Sequence, residues 1–125
     1  MIAWDLNSKN SSSQLSGPHK NPILDFAWHN SLVVSGDKAG FVALWDINKA
    51  EAFYTLRAHH GPVANILLYS NGLSHNLICT AGVEDGLLNI MDMRTNEKVF
   101  CQQIHSRSIN GICSNAKGNR NLLFY

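Results

Sequence analysis

The sequence contains few cysteines, and no two of them have metal-binding or redox spacing. The three are Cys79, Cys101 and Cys113, an odd number separated by 22 and 12 residues. The absence of a Cys-x-x-Cys pair argues against a thiolate zinc site and against a redox motif. Because all three lie in apolar, strand-like runs, we expect them to be buried as small hydrophobic residues. Unpaired thiols of this kind are typical of an intracellular protein, cytoplasmic or nuclear.

Charge is scarce and balanced. Ten Lys and Arg against nine Asp and Glu leave a formal net charge of +1. We therefore expect no nucleic-acid partner and no membrane partner, since a neutral chain has no general attraction to polyanions. No apolar run approaches the roughly 20 residues that a membrane helix needs. With 125 residues, 45% of them hydrophobic, the chain suits a single domain with a packed core.

Recognisable catalytic and cofactor motifs are also missing. The sequence has no Gly-x-Ser-x-Gly, no Gly-x-x-x-x-Gly-Lys and no Gly-x-Gly-x-x-Gly. Its six histidines include no His-x-x-x-His pair, whereas a zinc site needs three or four converging ligands. We therefore predict no enzyme activity, no cofactor and no metal site.

What the sequence does contain is internal repetition. A His precedes a β-branched residue by four positions at three places spaced by 40 and 46 residues: His19, His59 and His105. An aromatic residue or Met precedes Asp at three places spaced by 41 and 46 residues: Trp4-Asp5, Trp45-Asp46 and Met91-Asp92. Nine residues before the last two pairs stand Gly36 and Gly82, 46 apart. Because three landmarks share one period, the chain is predicted to repeat one structural unit.

Short apolar runs between polar turns predict four strands in each full unit and no helix. In the first full unit the predicted strands cover 23–28, 32–35, 41–45 and 52–56. In the second they cover 63–69, 77–81, 87–91 and 98–102, with a polar loop over 70–76. Strand-like runs at 1–5, 109–114 and 122–125 belong to incomplete units, and a polar linker is predicted over 6–14. The predicted units are 1–15 (partial), 17–56, 57–102 and 103–125 (partial).

Four-stranded units of this length, with a His near the start and Trp-Asp near the end, resemble the WD40-repeat family of β-propellers. The best unit runs from His19 to Trp45-Asp46. The resemblance implies an all-β fold of four-stranded antiparallel meanders, here an incomplete arc of about three blades. It also implies a structural role in the repeat for His19, Ser35, Gly36, Trp45, Asp46, His59, Gly82, Asp85, Asp92 and His105.

The repeats depart from the set of hydrogen-bonding residues that the family often carries: His, Ser or Thr, Asp and Trp. In the first unit the Asp position holds Ala39. In the second unit the Ser position holds Ala81 and the Trp position holds Met91. We therefore expect that neither unit completes the set and that the internal polar networks are weak.

The aromatic residues of the strands alternate with other apolar residues. We expect four of them to fill the blade core, rather than to form a platform for stacking bases. They are Trp28, Phe41, Phe53 and Tyr54.

About three blades cannot close a ring, because propellers usually have four to eight. Either the chain is a piece of a larger propeller, which we favour, or several chains assemble into one ring. A truncated gene product with no function of its own is a third explanation. Open blade edges would favour self-association.

The resemblance implies a scaffold that presents its loops to protein or peptide partners. The predicted contacts are charged or bulky residues in the loops before the first strands and between the second and third strands: Lys20, Lys38, Arg57, His60, Glu84 and Arg107.

A second hypothesis rests on the segment Met91-Asp92-Met93-Arg94. It partly matches the Trp-Asp-x-Arg ending by which some family members dock onto the adaptor of a cullin-type ubiquitin ligase. The chain would then be a substrate receptor, with Arg94 as an adaptor contact. Arg94 is equally consistent with an ordinary turn residue paired with Glu97, a solvated pair of little energetic value.

Overall fold

The computed structural model describes residues 1–70, 76–114 and 122–124. All regular structure in these ranges is β-strand, which confirms the predicted all-β class. Among these residues we find no helix capable of crossing a membrane. The strands are β1 (Ile2–Asp5), β2 (Asn10–Gln14), β3 (Ile23–His29), β4 (Leu32–Asp37), β5 (Phe41–Asp46), β6 (Glu51–Arg57), β7 (Val63–Ser70), β8 (Asn76–Gly82), β9 (Leu87–Asp92), β10 (Glu97–Gln103), β11 (Ile112–Ser114) and β12 (Leu122–Phe124).

The strands form two complete blades and two half-blades. Strands β3 to β6 form one antiparallel meander in sequence order, and β7 to β10 form another. Strands β1 and β2 make a two-stranded sheet, as do β11 and β12. Because β1 ends in Trp4-Asp5, as β5 ends in Trp45-Asp46, β1 and β2 correspond to the third and fourth strands of a blade. Strand β11 follows His105 and therefore corresponds to a first strand, with β12 as the second.

The structure corrects the sequence-based boundaries at three places. The predicted polar linker is wrong from Asn10 onward, because residues 10–14 pair with β1 as strand β2. Pairing with a neighbouring strand overrides the low strand propensity of a Ser- and Asn-rich segment. Strand β11 begins at Ile112 rather than at residue 109. Ser70 and Asn76, predicted to lie in a loop, pair at the ends of β7 and β8, while 71–75 and 125 lie outside the described residues.

The turns between third and fourth strands share one conformation. In each, the carboxylate of the Asp that ends the third strand accepts a hydrogen bond from the backbone N–H two residues later. The O···N distances are 2.9 Å at Asp5, 2.9 Å at Asp46 and 2.8 Å at Asp92. The residue four positions after each Asp has a positive φ, namely 56° at Lys9, 55° at Ala50 and 57° at Asn96. The Asp of each pair is therefore a turn residue.

The two complete blades pack face to face through one apolar core, built from Val34, Val42 and Leu44 of the first and Ala58, Val63, Ile66, Ile78 and Met91 of the second. The blades approach closely at Gly36, where a Cβ would lie 2.6 Å from Cγ1 of Val63. Asp25 on β3 also accepts a hydrogen bond of 2.7 Å from the backbone N–H of Ile66. Tight apolar contact and a satisfied backbone donor hold the blades in one relative position.

The opposite face of the first blade is only partly covered. Leu15, Val33, Ala43 and Trp45 form a second cluster, to which Met1 of the β1–β2 half-blade contributes. The prediction that Trp28, Phe41 and Phe53 lie in the core is wrong, since all three are exposed. Their side chains alternate onto this face, of which only the cluster around Trp45 is buried. Tyr54 points the other way and is half-buried against the core between the blades.

The cysteines also differ in exposure. Cys79 on β8 is buried, as predicted, but the prediction is wrong for Cys101 and Cys113, which are exposed. Cys101 lies on β10, an outer strand with solvent on its far edge, and Cys113 lies in the β11–β12 half-blade. All three thiols are free.

Candidate functional site

A chain of buried hydrogen bonds ties the first complete blade together. Nδ1 of His19 lies 2.8 Å from Oδ2 of Asp37, and Nε2 lies 2.7 Å from Oγ of Ser35. The indole N–H of Trp45 donates to the same Oγ over 2.8 Å. Because a carboxylate only accepts, Nδ1–H of His19 donates to Asp37. Nε2 of the neutral imidazole then accepts from the Ser35 hydroxyl.

The expectation that this blade lacks a complete set is therefore wrong. The carboxylate comes from Asp37, at the end of β4, and not from the position of Ala39 two residues later. The other oxygen of Asp37 accepts hydrogen bonds from the backbone N–H groups of Ala39 and Phe41, at 2.9 and 3.0 Å. Asp37 thus closes the turn and orients the His19 ring at once.

The second blade builds a similar network from different positions. Nε2 of His59 lies 2.9 Å from Oγ1 of Thr80, and Nδ1 lies 3.2 Å from Oδ2 of Asp85. The hydroxyl therefore comes from Thr80, and the assignment of this position to Ala81 is wrong. Met91 stands at the Trp position, as predicted, and has no N–H to donate, so this network has three members.

One additional residue in the turn of the second blade explains why the hydroxyl position was assigned to Ala81 rather than to Thr80. Ser35 and Trp45 are ten residues apart, whereas Thr80 and Met91 are eleven apart. Ser35 pairs with Ala43, and Thr80 pairs with Asn89, so these two hydroxyl residues are equivalent in the sheets. Counting ten residues back from Met91, as from Trp45 to Ser35, therefore gives Ala81 instead of Thr80.

Burial and hydrogen bonding shift the pKa values of the second network. Burial lowers the pKa of His59 below 6.5, and the nearby Asp85 carboxylate opposes this only in part. Burial alone would raise the pKa of Asp85, but hydrogen bonds from the backbone N–H groups of Leu87 and His60, with the His59 ring, lower it below 3.8. The pair is therefore held as a neutral imidazole beside a carboxylate, which suits a structural hydrogen bond.

Sequence reasoning missed a further buried polar residue, Asn89 on β9. Its Nδ2 donates to the carbonyl oxygen of Ala58 over 2.7 Å and lies 3.5 Å from Nε2 of His59. Asn89 thus anchors the loop that precedes β7 to the middle of its own blade. The only sequence signal was a polar residue at the centre of an otherwise apolar strand.

The loops and turns at one end of the blades form a continuous row. Within each blade, the turn after the second strand donates to the loop before the first, through Lys38 N to Pro22 O at 3.0 Å and Val83 N to Pro62 O at 2.9 Å. Between blades, the carbonyl oxygen of Gly40 accepts from Ala58 N, and that of Gly86 accepts from Ile104 N, both at 2.9 Å. We call this row the loop face; it comprises residues 19–22, 37–40, 57–62, 82–86 and 104–109.

The predicted partner-contact residues, apart from Arg94, all belong to the loop face and are all exposed: Lys20, Lys38, Arg57, His60, Glu84 and Arg107. Four are cations and one is a carboxylate. The other two carboxylates of the same turns, Asp37 and Asp85, are turned inward onto His rings. The loop face therefore presents excess positive charge, although the whole chain is almost neutral.

Two of these residues have defined neighbours. The guanidinium carbon of Arg57 lies 6.0 Å from the centre of the Phe41 ring, a cation–π distance, and its Nε donates to the carbonyl oxygen of His59. The Glu84 side chain lies against the backbone of Gly61, where any Cβ would contact it. These contacts place a cation and a carboxylate at fixed positions on the loop face.

Arg94 lies at the other end of the blades, in the turn between β9 and β10. It is exposed, and its backbone N–H donates to Asp92. Asn7 and Asn48 hold the same position in the other two turns. The proposed pairing with Glu97 is not found, as no ion pair joins these two described residues.

The third unit contributes one repeat-position residue, His105. The backbone of His105 lies on the loop face, where its N–H approaches the carbonyl oxygen of Gly86 at 3.4 Å. Within the described ranges, no group of three or more His, Cys, Asp or Glu side chains is arranged to hold a metal ion.

Comparisons with known proteins agree with this geometry. No protein-family model matches the chain. Over 88 residues it is 32% identical to the histone-binding protein MSI1 of Saccharomyces cerevisiae, covering 70% of this chain and 21% of that protein. Over 80 residues it is 29% identical to the WD repeat-containing protein JIP5 of Cryptococcus neoformans, covering 63% of this chain and 20% of that protein. The chain is built from WD40-type propeller blades.

Solved structures show the same fold. A propeller chain in the crystal structure of the mitotic checkpoint complex superposes with a TM-score of 0.85 at 19% identity, over 98% of this chain and 38% of that chain. The computationally designed Ika8 protein gives 0.77 at 20% identity, over 90% of this chain and 33% of that chain. The WD40-type arc thus spans about a third of these structures and about a fifth of the two relatives named above.

Proposed function

We propose that the chain is a protein-interaction scaffold in a multiprotein complex and that its loop face binds acidic segments of partner proteins. One observation carries the proposal: hydrogen bonds join loops and turns of successive blades into one surface with four exposed cations and one exposed carboxylate. A rigid scaffold that presents loops in fixed relative positions is suited to recognition. The proposed compartment is intracellular, cytoplasmic or nuclear, where free thiols such as these persist.

The proposal assigns no enzyme activity to the chain. The polar clusters of both blades are buried hydrogen-bond networks whose His rings face Ser, Thr and Asp within the blade. A catalytic site would need such groups to reach a substrate. We propose that Lys20, Lys38, Arg57, His60, Glu84 and Arg107 are the contact residues.

The charge of the loop face distinguishes two classes of peptide. A surface with excess positive charge disfavours a basic peptide and favours an acidic one, because like charges at an interface cost free energy. We therefore expect an Asp- and Glu-rich peptide to bind and a Lys- and Arg-rich peptide of equal length not to bind.

Fluorescence anisotropy with these two peptides tests the proposal on the full chain. The loop-face variant combines Lys20→Glu, Lys38→Glu, Arg57→Glu and Arg107→Glu. The control combines Lys9→Glu, Lys49→Glu, Arg94→Glu and Lys98→Glu, which changes the net charge equally outside the loop face. We expect acidic-peptide binding to weaken by at least roughly tenfold in the first variant only. Equal weakening in both variants, or tighter binding of the basic peptide, would overturn the proposal.

The alternative role as substrate receptor of a cullin-type ubiquitin ligase would use a different surface. Arg94 is exposed at the end opposite the loop face, so a partner there would not compete with the acidic peptide. A pull-down of the adaptor with the parent chain and with Arg94→Ala distinguishes this role. Capture by the parent that Arg94→Ala abolishes supports it, whereas no capture, or equal capture by both, rejects it.

A further inference from the structure

The buried amide of Asn89, at the centre of β9, is satisfied at only one end. Its Nδ2 lies 2.7 Å from the carbonyl oxygen of Ala58. Because a carbonyl oxygen only accepts, the amide atom that faces it must be the nitrogen, which fixes the orientation of the side chain. The opposite atom, Oδ1, is buried and receives no hydrogen bond from any residue that the structure describes. A buried acceptor without a donor costs free energy, so a new donor nearby would favour the reverse orientation.

The Asn89 amide lies beside the titratable ring of His59. Its Nδ2 is 3.5 Å from Nε2 of His59, which accepts a hydrogen bond from the Thr80 hydroxyl over 2.9 Å. The other ring nitrogen, Nδ1, carries the proton that faces Asp85. A neutral ring therefore presents a lone pair at Nε2, which is compatible with the N–H groups of the amide. A protonated ring would present N–H at Nε2 to N–H of the amide, and two donors repel each other.

Charged side chains from separate elements act on the His59 ring. Asp85, in the turn between β8 and β9, favours the protonated ring, whereas Lys98 on β10 disfavours it. Arg57 at the end of β6 contacts the backbone of His59, through its Nε at 3.3 Å from the carbonyl oxygen. Burial lowers the pKa of His59 by more than Asp85 raises it, so the ring is neutral at neutral pH and takes up a proton as the pH falls below 6.5.

The bond from Asn89 to Ala58 holds a loop that carries two of the proposed contact residues, Arg57 and His60. The backbone N–H groups of Ala58 and His59 both point to the carbonyl oxygen of Gly40 in the first blade, at 2.9 and 3.2 Å. The carbonyl group of Ala58 is held from the second blade by Asn89. If the amide of Asn89 turned around, that carbonyl oxygen would lose its donor, which favours movement of the loop.

The first blade provides an internal comparison. Ala43 pairs with Ser35 as Asn89 pairs with Thr80, so Ala43 is the Asn89 position of that blade. Alanine supplies no amide to the ring of His19, which is held by Ser35 and Asp37. The arrangement of a titratable ring, an amide and a loop carbonyl therefore distinguishes the second blade from the first.

We propose that His59 and Asn89 form a pH-sensitive switch that controls the position of the loop at 57–62. While His59 is neutral, the Asn89 amide donates to Ala58 and holds the loop. When His59 takes up a proton from solvent, the amide turns, Oδ1 accepts from Nε2–H, and the bond to Ala58 is broken. The new hydrogen bond involves a charged donor and is stronger than the neutral one that it replaces.

The switch also predicts how pH regulates the loop face, and this consequence rests on the proposed function. Release of the loop moves Arg57 and His60 away from the positions in which they are presented at neutral pH. An acidic peptide would then lose part of its contacts. Binding should therefore weaken as the pH falls through the range in which His59 is protonated.

Hydrogen exchange of the full chain tests the switch without any peptide. After correction for intrinsic exchange rates, protection of the Ala58 amide should fall at least about tenfold between about pH 7.5 and about pH 5, beyond any fall in the amides of β5. The β5 amides report the stability of the first blade as a whole. In His59→Gln, which does not titrate, no such excess should occur. In Asn89→Leu, which keeps the size but removes the amide, protection of Ala58 should be low at both pH values.

Fluorescence anisotropy with an Asp- and Glu-rich peptide measures the consequence for binding. The charges of the peptide and of the exposed His60 also change with pH, so each variant is described by the ratio of its dissociation constants at the two pH values. The ratio for the parent chain should exceed that for Asn89→Leu at least about threefold, because only the parent has the switch. Met91→Leu alters packing on the same strand but keeps the amide, so its ratio should match that of the parent. Melting curves establish that the variants are folded.

The two measurements separate failure of the switch from failure of the proposed function. Equal protection of Ala58 at both pH values in the parent, or an equal fall in folded His59→Gln, would overturn the switch. A parent chain that does not bind the acidic peptide at about pH 7.5 would overturn the proposed function, and hydrogen exchange alone would then decide on the switch. Peptide binding with equal ratios in the parent and in folded Asn89→Leu would show that the switch does not regulate binding.

Discussion

The carboxylate of Asp85 occupies the space that a side chain at Gly82 would fill, against the ring of His59. In the first blade, Asp37 stands at the end of the second strand and supplies its carboxylate directly from there. Gly82 pairs with Val63 as Asp37 pairs with Ile23, so the glycine is the Asp37 position of the second blade. Two successive blades therefore place one carboxylate in the same environment from two different turn positions.

Moving the carboxylate of the second blade from position 85 to position 82 tests whether the two positions are interchangeable. Gly82→Asp and Asp85→Ala should each destabilise the chain by about 2 kcal/mol, the first by crowding and the second by leaving backbone donors unpaired. Combined, they recreate the arrangement of Asp37 and Ala39, so the double variant should be less destabilised than the sum by at least about 1 kcal/mol. Urea unfolding measures all three. Strict additivity would show that the carboxylates are not interchangeable.

The Trp45 indole should contribute to stability through its hydrogen bond as well as through its size. Trp45→Phe keeps an aromatic ring but removes the N–H that donates to Ser35, so we expect a loss of about 2 kcal/mol. Met91→Leu is the matched change in the second blade, where no such donor exists, and it should cost less than about 1.5 kcal/mol. Equal losses in urea unfolding would show that the hydrogen bond contributes nothing.

Acidification should weaken the fold in two stages. The pKa of His59 is lowered by burial, so its contribution is complete above its unfolded value of 6.5 and is lost as the pH falls below that value. The lowered pKa of Asp85 adds a contribution that is complete above 3.8 and is lost as the pH falls through the folded value. The free energy of unfolding should therefore fall from about pH 7.5 to about pH 5, and fall again below about pH 4.

The variant His59→Gln tests whether His59 causes the first loss of stability on acidification. Glutamine retains hydrogen-bonding groups but does not titrate, so the variant should be less stable at neutral pH and should change less as the pH falls to about 5. Urea unfolding of parent and variant at the same pH values gives both slopes. Parallel slopes would mean that other groups carry the pH dependence.

The thiols should differ sharply in reactivity. Burial raises the pKa of Cys79 to about 11, whereas Cys101 is exposed. Since the thiolate is the reacting species, a maleimide should label Cys101 rapidly in the folded chain and should reach Cys79 only after denaturation. Mass spectrometry of the digested protein assigns each site. Fast labelling of Cys79 under native conditions would contradict the buried position of β8.

Sequence periodicity predicted the blades because two of the landmarks, the His and the Asp after Trp or Met, recur at equivalent positions for a local physical reason. The third landmark was misleading, since Gly82 is equivalent to Asp37 and not to Gly36. The Asp after Trp45 closes a turn by accepting a backbone hydrogen bond, and such a turn recurs wherever that Asp recurs. The hydroxyl residue of the second blade was mispredicted because a fixed offset ignores turn length, which one residue between Gly82 and Asp85 changes. The carboxylate of the first blade was mispredicted because Asp37 supplies it from the end of the second strand rather than from the turn position of Ala39. A hydrogen-bond network forms between side chains that come within hydrogen-bond distance in the folded blade. The spacing of residues along the sequence does not determine which side chains do so.

Whether a neighbouring sheet packs on a given face of a blade was less predictable from the sequence. Alternation along β3 indicates that Phe26 and Trp28 share one face, but whether another sheet covers that face depends on the neighbouring blade. The same limitation applies to β2, where a Ser-rich segment is a strand only because β1 lies beside it. Tertiary pairing decided both cases, and local propensity carries no information about it.

Chemical-shift mapping of the isotopically labelled chain with an acidic peptide tests the central claim most directly, namely that partners bind the loop face. The account predicts shift changes in the backbone amides of 38–40, 57–61 and 84–86, with none in the opposite turn at 93–96. Changes confined to 93–96 would contradict it and would point to Arg94, and an unchanged spectrum at saturating peptide would contradict it as well.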